Sequence, residues 1–202
     1  MTESDKVMLN VAATLVGTSV LGPGLRAVVW VQGCPLRCPG CLAPDWIPFT
    51  PARLVAPEVL ADELLAHPLI SGLTFSGGEP TAQAEGLAQL ARLARQRRRM
   101  DIICFSGFTL ERLRQSPPYP GVADLLAQVD VLIDGAYIAQ QDDNRGLRGS
   151  ANQRIHHLTH RLAGVDLQSA PRRAEVVVRD GHLMLVGVPP TGLLASVSQA
   201  AG

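Results

Sequence analysis

The chain has 202 residues, 47% of them hydrophobic and 18% charged, which is apolar enough to build one core and too weakly charged for disorder. Its 18 basic residues cancel its 18 acidic ones, so no global field draws it to nucleic acid or to an anionic membrane, and neither is expected as a partner. No window holds the ~18 consecutive apolar residues of a membrane span. Met1-Thr2-Glu3-Ser4-Asp5 lacks the basic start and apolar run of a leader, so a cytoplasmic address is expected.

An apolar stretch from Met8 to Val16 and the turn Gly22-Pro23-Gly24 lead into Ala27-Val28-Val29-Trp30-Val31. That run is short and β-branched, and it reads as a buried strand. Pro35, Pro39, Pro44, Pro48 and Pro51 keep the following stretch irregular. A helix is expected from about Pro57 to His67, then a strand from Gly72 to Ser76 and a turn at Gly77-Gly78-Glu79-Pro80. From Ala84 to Arg98, Leu87, Leu90, Leu93 and Ala94 recur at helical spacing, and a basic last turn suits a helix C-terminus. Strand Asp101 to Ser106, helices near Thr109 to Arg114 and Val122 to Gln128, and strand Val131-Leu132-Ile133 continue the alternation. The pattern argues an α/β fold, a parallel sheet with helices outside it. Gln140 to Ser150 reads as a loop and Asn152 to Leu162 as a helix. Ala174 to Arg179 and Leu183 to Val188 flank Asp180-Gly181, a two-residue hairpin signal. A closed eight-unit barrel typically takes about 250 residues, and this chain carries roughly five strand and helix units, so its barrel is expected to stay open on one side. One domain over 1–202 is expected, with its core at about 8–165 and a hairpin extension at about 170–190.

Of the four cysteines, Cys34, Cys38 and Cys41 fall within eight residues, spaced C-x3-C-x2-C on a loop leaving a buried strand, and Cys104 lies far along. In a reducing compartment such clustered thiols bind metal more often than they bridge. A cubane of four irons held by three thiolates keeps one iron open to a non-protein ligand. Structural zinc, with Cys104 or a histidine as the fourth ligand, is the alternative that spacing leaves open. Cys104 itself sits in an apolar strand and reads as a small buried hydrophobe.

Gly22-Pro23-Gly24-Leu25-Arg26, Val31-Gln32-Gly33-Cys34 and Ser76-Gly77-Gly78-Glu79-Pro80 together resemble the radical S-adenosylmethionine superfamily, and within it the activating enzymes of glycyl radical enzymes. Asp130-Val131-Leu132-Ile133-Asp134-Gly135 and Arg148-Gly149-Ser150-Ala151-Asn152-Gln153-Arg154 resemble the later part of anaerobic ribonucleotide reductase activating proteins. Leu36, Leu42-Ala43 and Glu79 depart from the closest patterns, which often carry His, Tyr-Asn and Asp at those places.

The resemblance implies an open (β/α) barrel of the radical S-adenosylmethionine type carrying a [4Fe-4S] cluster on Cys34, Cys38 and Cys41. It implies S-adenosylmethionine on the open iron, cleaved by one electron to a 5′-deoxyadenosyl radical. Gly77 and Gly78 then let backbone approach the methionine moiety, and Glu79 accepts from its amino group or fixes the turn. A side chain at Gly78 is expected to displace the cofactor and to spare the cluster loop, which lies on a separate segment. Ser106-Gly107 and Asp134-Gly135 end strands on the same edge. They are candidate contacts to ribose and adenine, or else tight turns with Asp134 capping locally. Gly40, Cys41 and Leu42 offer backbone and apolar surface to the adenosyl group.

The implied target is a glycine in a partner enzyme, anaerobic ribonucleotide reductase first, with a flavodoxin- or ferredoxin-type electron donor. A peptide or small metabolite is the alternative target, and a non-catalytic metal-binding adaptor is the reading from a different class. His156, His157 and His160 read as a solvated helix face, and Arg95 with Arg97 to Arg99 as a basic helix end. Arg148 to Asn152 read equally as a partner surface or a polar loop.

Overall fold

The computed structural model describes residues 7–179 and 181–193. A seven-stranded sheet forms its centre. In chain order the strands are β1 (Leu9–Thr18), β2 (Arg26–Val31), β3 (Arg53–Val55), β4 (Gly72–Gly77), β5 (Asp101–Ser106), β6 (Val131–Asp134) and β7 (Arg154–His157), and they lie side by side as β3-β1-β2-β4-β5-β6-β7. The central run β2-β4-β5-β6 is parallel. β1, β3 and β7 are added antiparallel at its flanks. The helices are α1 (Pro57–Leu65), α2 (Ala84–Arg97), α3 (Leu110–Gln115) and α4 (Val122–Leu126), and β8 (Ala174–Arg179) pairs with β9 (His182–Gly187) in a separate hairpin. Asp180, at the expected hairpin turn, and residues 1–6 lie outside the described residues.

Period-two alternation sorts the strand residues between two apolar layers. Ala27, Val29, Val31, Leu73, Phe75, Ile102, Cys104 and Leu132 face the layer that the four helices cover. Val28, Trp30, Ile103, Val131 and Ile133 face the other layer, which is closed by the stretch from Leu147 to Leu167 and by the hairpin through Val186 and Val188. Each fully buried Leu, Ile, Val or Phe contributes roughly 1.5–3 kcal/mol relative to exposure. The sheet is therefore apolar on both sides, and its polar business is confined to its two edges.

At the N-terminal edge the Arg26 side chain is fully buried. It donates to Thr74 Oγ1 at 2.7 Å and to Leu73 O at 2.6 Å, and it pairs with Asp101. Burial pulls its guanidinium below the ordinary value, and Asp101 opposes that shift. The Gly-Pro-Gly-Leu-Arg segment thus ties β2, β4 and β5 together at the edge away from the cysteines.

Three expectations are corrected. Asn152 to Leu162 is not a helix: residues 154–157 form β7, because pairing with buried β6 supplies hydrogen bonds that a short polar helix would have to find alone. His156 and His160 therefore share no helix face. The proline-marked stretch also holds a strand, β3, three residues long and paired to β1. Finally, α1 ends at Leu65 and not near His67. Pro68 disfavours helix in the residue before it, and Arg98 caps the freed carbonyls, donating to Leu65 O at 2.6 Å and to Pro68 O at 2.6 Å.

Candidate active site

The C-terminal ends of β2, β4, β5 and β6 meet at one edge, and beside them lies a cavity of about 430 Å³. Cys34, Cys38 and Cys41 all line it, on the loop that leaves β2. Left-handed backbone at Arg37 (φ +48°) and Gly40 (φ +75°) winds that loop, and Cys41 N donates to Cys38 O at 3.1 Å. The loop is pinned at its root, where Gly33 N donates to Trp46 O and Cys34 N to Ile47 O, each at 2.9 Å. The three thiols are partly exposed and unpaired by disulfides. Burial pushes the Cys34 thiol up, while the backbone amides of Leu36 and Arg37 draw it the other way.

The donor set fits an iron–sulfur cluster. All three thiols line a single cavity of about 430 Å³. Among the described residues, no three His, Cys, Asp or Glu side chains gather closely enough for one metal ion, as a shared zinc would need. Cys104, the fourth ligand of the zinc alternative, is 1% exposed, faces the helical layer and does not line the cavity.

Opposite the thiols the β4 turn closes on the cluster loop, backbone to backbone. Gly78 N donates to Val31 O at 2.7 Å, and Glu79 N donates to Gly33 O at 2.8 Å. A Cβ on Gly78 would stand 2.3 Å from Gly33 O, and one on Gly77 (φ +102°) 2.5 Å from Val31 N. The expectation that a side chain at Gly78 spares the cluster loop is therefore corrected, because Gly78 is glycine to let that loop pass.

Glu79 is 1% exposed. Its Oε1 accepts from Thr81 N at 3.0 Å, Thr81 Oγ1 at 2.7 Å and Ser106 Oγ at 2.9 Å, and its Oε2 accepts from Gly107 N at 2.8 Å. Burial raises its carboxyl pKa, against the pull of those four donors. These bonds fill the structural role expected for Glu79, capping the turn into α2 and clamping the end of β4 to the end of β5, and the residue also lines the cavity. Ser106 reaches the cavity through that clamp, and Leu36 of the cluster loop packs over Gly107, where an added Cβ would meet its Cδ1 at 2.1 Å.

Asp134 ends β6 but does not line the cavity. Its Oδ2 accepts from Leu110 N at 2.6 Å at the start of α3 and lies 3.1 Å from Arg154 and 2.9 Å from His156. Local capping and pairing occupy it, the second of the two readings expected for this residue. Gly40 also lies outside the lining, whereas Cys41 and Leu42 belong to it. Arg148 to Asn152 turn inward: Arg148 pairs with Asp143, Ser150 Oγ accepts from Ile138 N at 3.1 Å, and Asn152 donates to Ala136 O at 2.7 Å. They brace the loop after β6 that brings Gly135 and Tyr137 to the cavity.

Sequence reasoning missed the aromatic wall. Trp30 and Trp46, ring centroids 5.8 Å apart, line the cavity with Phe105 and Tyr137. Trp30 and Phe105 were open to strand alternation, which puts them on the inner face. Tyr137, Trp46 and the β9 residues are brought in by loops and a hairpin that no local period reports.

A family model described as a 4Fe-4S single cluster domain matches residues 20–156. The anaerobic ribonucleoside-triphosphate reductase-activating protein of Vibrio cholerae is 35% identical over 149 residues, covering 69% of this chain and 92% of that protein. Its Escherichia coli K12 counterpart is 31% identical over 150 residues, with the same coverage.

This chain belongs to the family of anaerobic ribonucleoside-triphosphate reductase-activating proteins.

A pyruvate formate-lyase-activating enzyme from Clostridium pasteurianum is 41% identical over 80 residues, 37% of this chain and 34% of that one. The family is thus one of activating proteins built on a single 4Fe-4S cluster domain. Its model stops at residue 156, short of the β8–β9 hairpin.

Proposed function

We propose that this chain is a radical S-adenosylmethionine enzyme that generates a glycyl radical on a partner enzyme, anaerobic ribonucleotide reductase. The observation that carries the reading is that three cysteine thiols share one cavity with the ends of β4 and β5 and with Gly135, just after β6. Cys34, Cys38 and Cys41 would hold the cluster, three thiolates leaving one of four irons without a protein ligand. When bound there, a reduced [4Fe-4S] cluster supplies the electron that splits the carbon–sulfur bond of S-adenosylmethionine, and the 5′ carbon then gains its hydrogen atom from the Cα–H bond of a glycine.

The chain's own residues orient and exclude. Gly77 and Gly78 leave backbone bare at the cavity for the methionine end, and Glu79 holds that turn to β5 without spending its own charge on the cofactor. Trp30, Phe105, Leu42 and Trp46 keep water from the site, so that a radical formed there meets its target before solvent. The electron comes from a flavodoxin- or ferredoxin-type protein, and the reaction runs in the cytoplasm.

The test is anaerobic reconstitution followed by iron and sulfide analysis, then dithionite with S-adenosylmethionine. Release of 5′-deoxyadenosine and methionine, and a glycyl radical by electron paramagnetic resonance when the partner reductase is present, are the expected outcome. Bound zinc with no 5′-deoxyadenosine would overturn the enzymatic reading in favour of an adaptor.

A further inference from the structure

Beyond the cysteine loop and the β4 turn, the cavity is lined by Gly135, Tyr137, Gly149, Gln153 and Pro189. These belong to three separate stretches of chain: the loop after β6, the turn before β7 and the segment after β9. None of the five lies in a helix or a strand, so no backbone ladder fixes this part of the wall.

Part of the hold comes from within. Gln153 Oε1 accepts from Gly149 N at 2.7 Å and from Ser150 N at 3.2 Å, and its Nε2 donates to Gly135 O at 2.7 Å. The Tyr137 ring lies against Gly149, where an added Cβ would meet its Cδ2 at 2.8 Å. The loop that carries Tyr137 also reaches the cluster loop, since a Cβ on Gly40 would stand 3.3 Å from Ala139 Cβ.

The rest comes from one side chain beyond residue 156, where the family model stops. The Arg172 side chain is 1% exposed and does not line the cavity. Its Nη1 lies 2.7 Å from Asp142 Oδ1, at the end of the loop that carries Tyr137, and donates to Pro189 O at 3.4 Å. Its Nη2 donates to Arg148 O at 2.7 Å and to Gly149 O at 3.0 Å. The planar fork thus touches all three stretches at once, which the single nitrogen of a lysine could not do. A buried ion pair is weak evidence for stability, because an apolar side chain of like volume often serves as well. What the fork adds is fixed geometry.

We infer that Arg172 is a positioning residue for S-adenosylmethionine: from outside the family domain, it staples three loop stretches into the cavity wall that receives the cofactor. The inference rests on the proposed function and adds a residue that acts only through others. Without the fork the wall leaves its binding arrangement for part of the time, and affinity falls by the fraction of time it is absent. The cysteine loop keeps its own pins at Trp46, Ile47 and the β4 turn, so cluster assembly does not depend on Arg172.

The experiment compares the full chain with three variants. Arg172→Met removes both arms of the fork, and Arg172→Lys keeps the charge with a single arm. Arg95→Met breaks the ion pair to fully buried Asp130, which precedes β6 at its other end, and so reports loss of stability alone. Amide hydrogen exchange is measured on the chain before reconstitution. Iron content, S-adenosylmethionine affinity by equilibrium dialysis without reductant, and kcat and KM for 5′-deoxyadenosine formation under dithionite are measured after it.

Arg172→Met should speed exchange over residues 142–153 about tenfold or more and leave residues 33–41 unchanged. Its Kd and KM for S-adenosylmethionine should rise about tenfold, with kcat and iron content within about twofold of the parent. Arg172→Lys should lose about threefold in affinity. Arg95→Met should melt earlier and bind like the parent.

Parent-like affinity in Arg172→Met would overturn the inference, as would an equal loss in Arg95→Met or a fall in kcat with KM unchanged. If Met at 172 prevents folding, Arg172→Lys decides, and parent-like exchange and affinity there would overturn it. Each of these results leaves the cleavage reading standing. A parent that loads iron yet neither binds nor cleaves S-adenosylmethionine would instead sink the proposed function and this inference with it.

Discussion

Gly78→Ala is the sharpest perturbation of this site. The backbone angles of Gly78 suit any residue, so the change adds one methyl and nothing else. That carbon would stand 2.3 Å from Gly33 O and 2.7 Å from Gly33 C, where carbon contacts settle at about 3.5–4.0 Å. The two backbones must part by roughly 1 Å, which overpacks the junction at about 1–3 kcal/mol. The same movement stretches the bonds Gly78 N to Val31 O and Glu79 N to Gly33 O, each worth about 1 kcal/mol net. A total near 3 kcal/mol lowers the melting temperature by roughly 6–12 °C in a chain of this size. Gly33 immediately precedes Cys34, so the displacement enters the cluster loop at its first ligand. Reconstituted Gly78→Ala should therefore hold well under half the parent's iron and sulfide and should bind S-adenosylmethionine poorly. Gly164→Ala, with nothing within 4 Å of its added carbon, should match the parent on both counts. Near-normal iron with lost cofactor affinity in Gly78→Ala would refute the argument and return the β4 turn to an independent cofactor contact.

Replacing any of Cys34, Cys38 or Cys41 by Ala should abolish the visible absorption of the reconstituted cluster, whereas Cys104→Ala should keep it and cost about 1 kcal/mol of stability by thermal melting. Asp134→Asn should cost roughly 2–3 kcal/mol, because it weakens the bonds to Leu110 N and to the Arg154 guanidinium, yet titration should find S-adenosylmethionine affinity unchanged. Burial raises the Glu79 carboxyl above its ordinary 4.5, so its contribution to stability is full below that value and declines as pH rises through the higher folded one. Glu79→Gln should remove that segment from a plot of melting temperature against pH, and an identical profile in both proteins would show that Glu79 does not titrate in the fold.

The parallel core was legible because each of its strands is a short apolar run closed by glycine or by a polar end, as in Gly72 to Gly77 and Asp101 to Ser106. The cysteine loop was legible because ligand spacing survives without any knowledge of tertiary structure. Its companions were not. Asp134 looks in sequence like the equal of Ser106, each standing just before a glycine at a strand end, yet register and the start of α3 turn one carboxylate toward helix and arginine while Ser106 meets Glu79. The strand from Arg154 to His157 is polar enough to read as surface helix, and only its pairing with β6 decides otherwise. Gly78 reads in sequence as a place of close approach, and the structure adds Gly33 of the cluster loop as a neighbour that no sequence signal names, since a missing side chain records that something passes near and not what it is.

The backbone seam between Gly33 and Gly78 makes the thiolate loop and the β4 turn one rigid jaw. Neither half can open without the other, so changes in target cannot be bought by loosening the metal side of the site. Room to diversify lies across the cavity, on β9, where a strand edge can trade one side chain for another while the jaw keeps its bite.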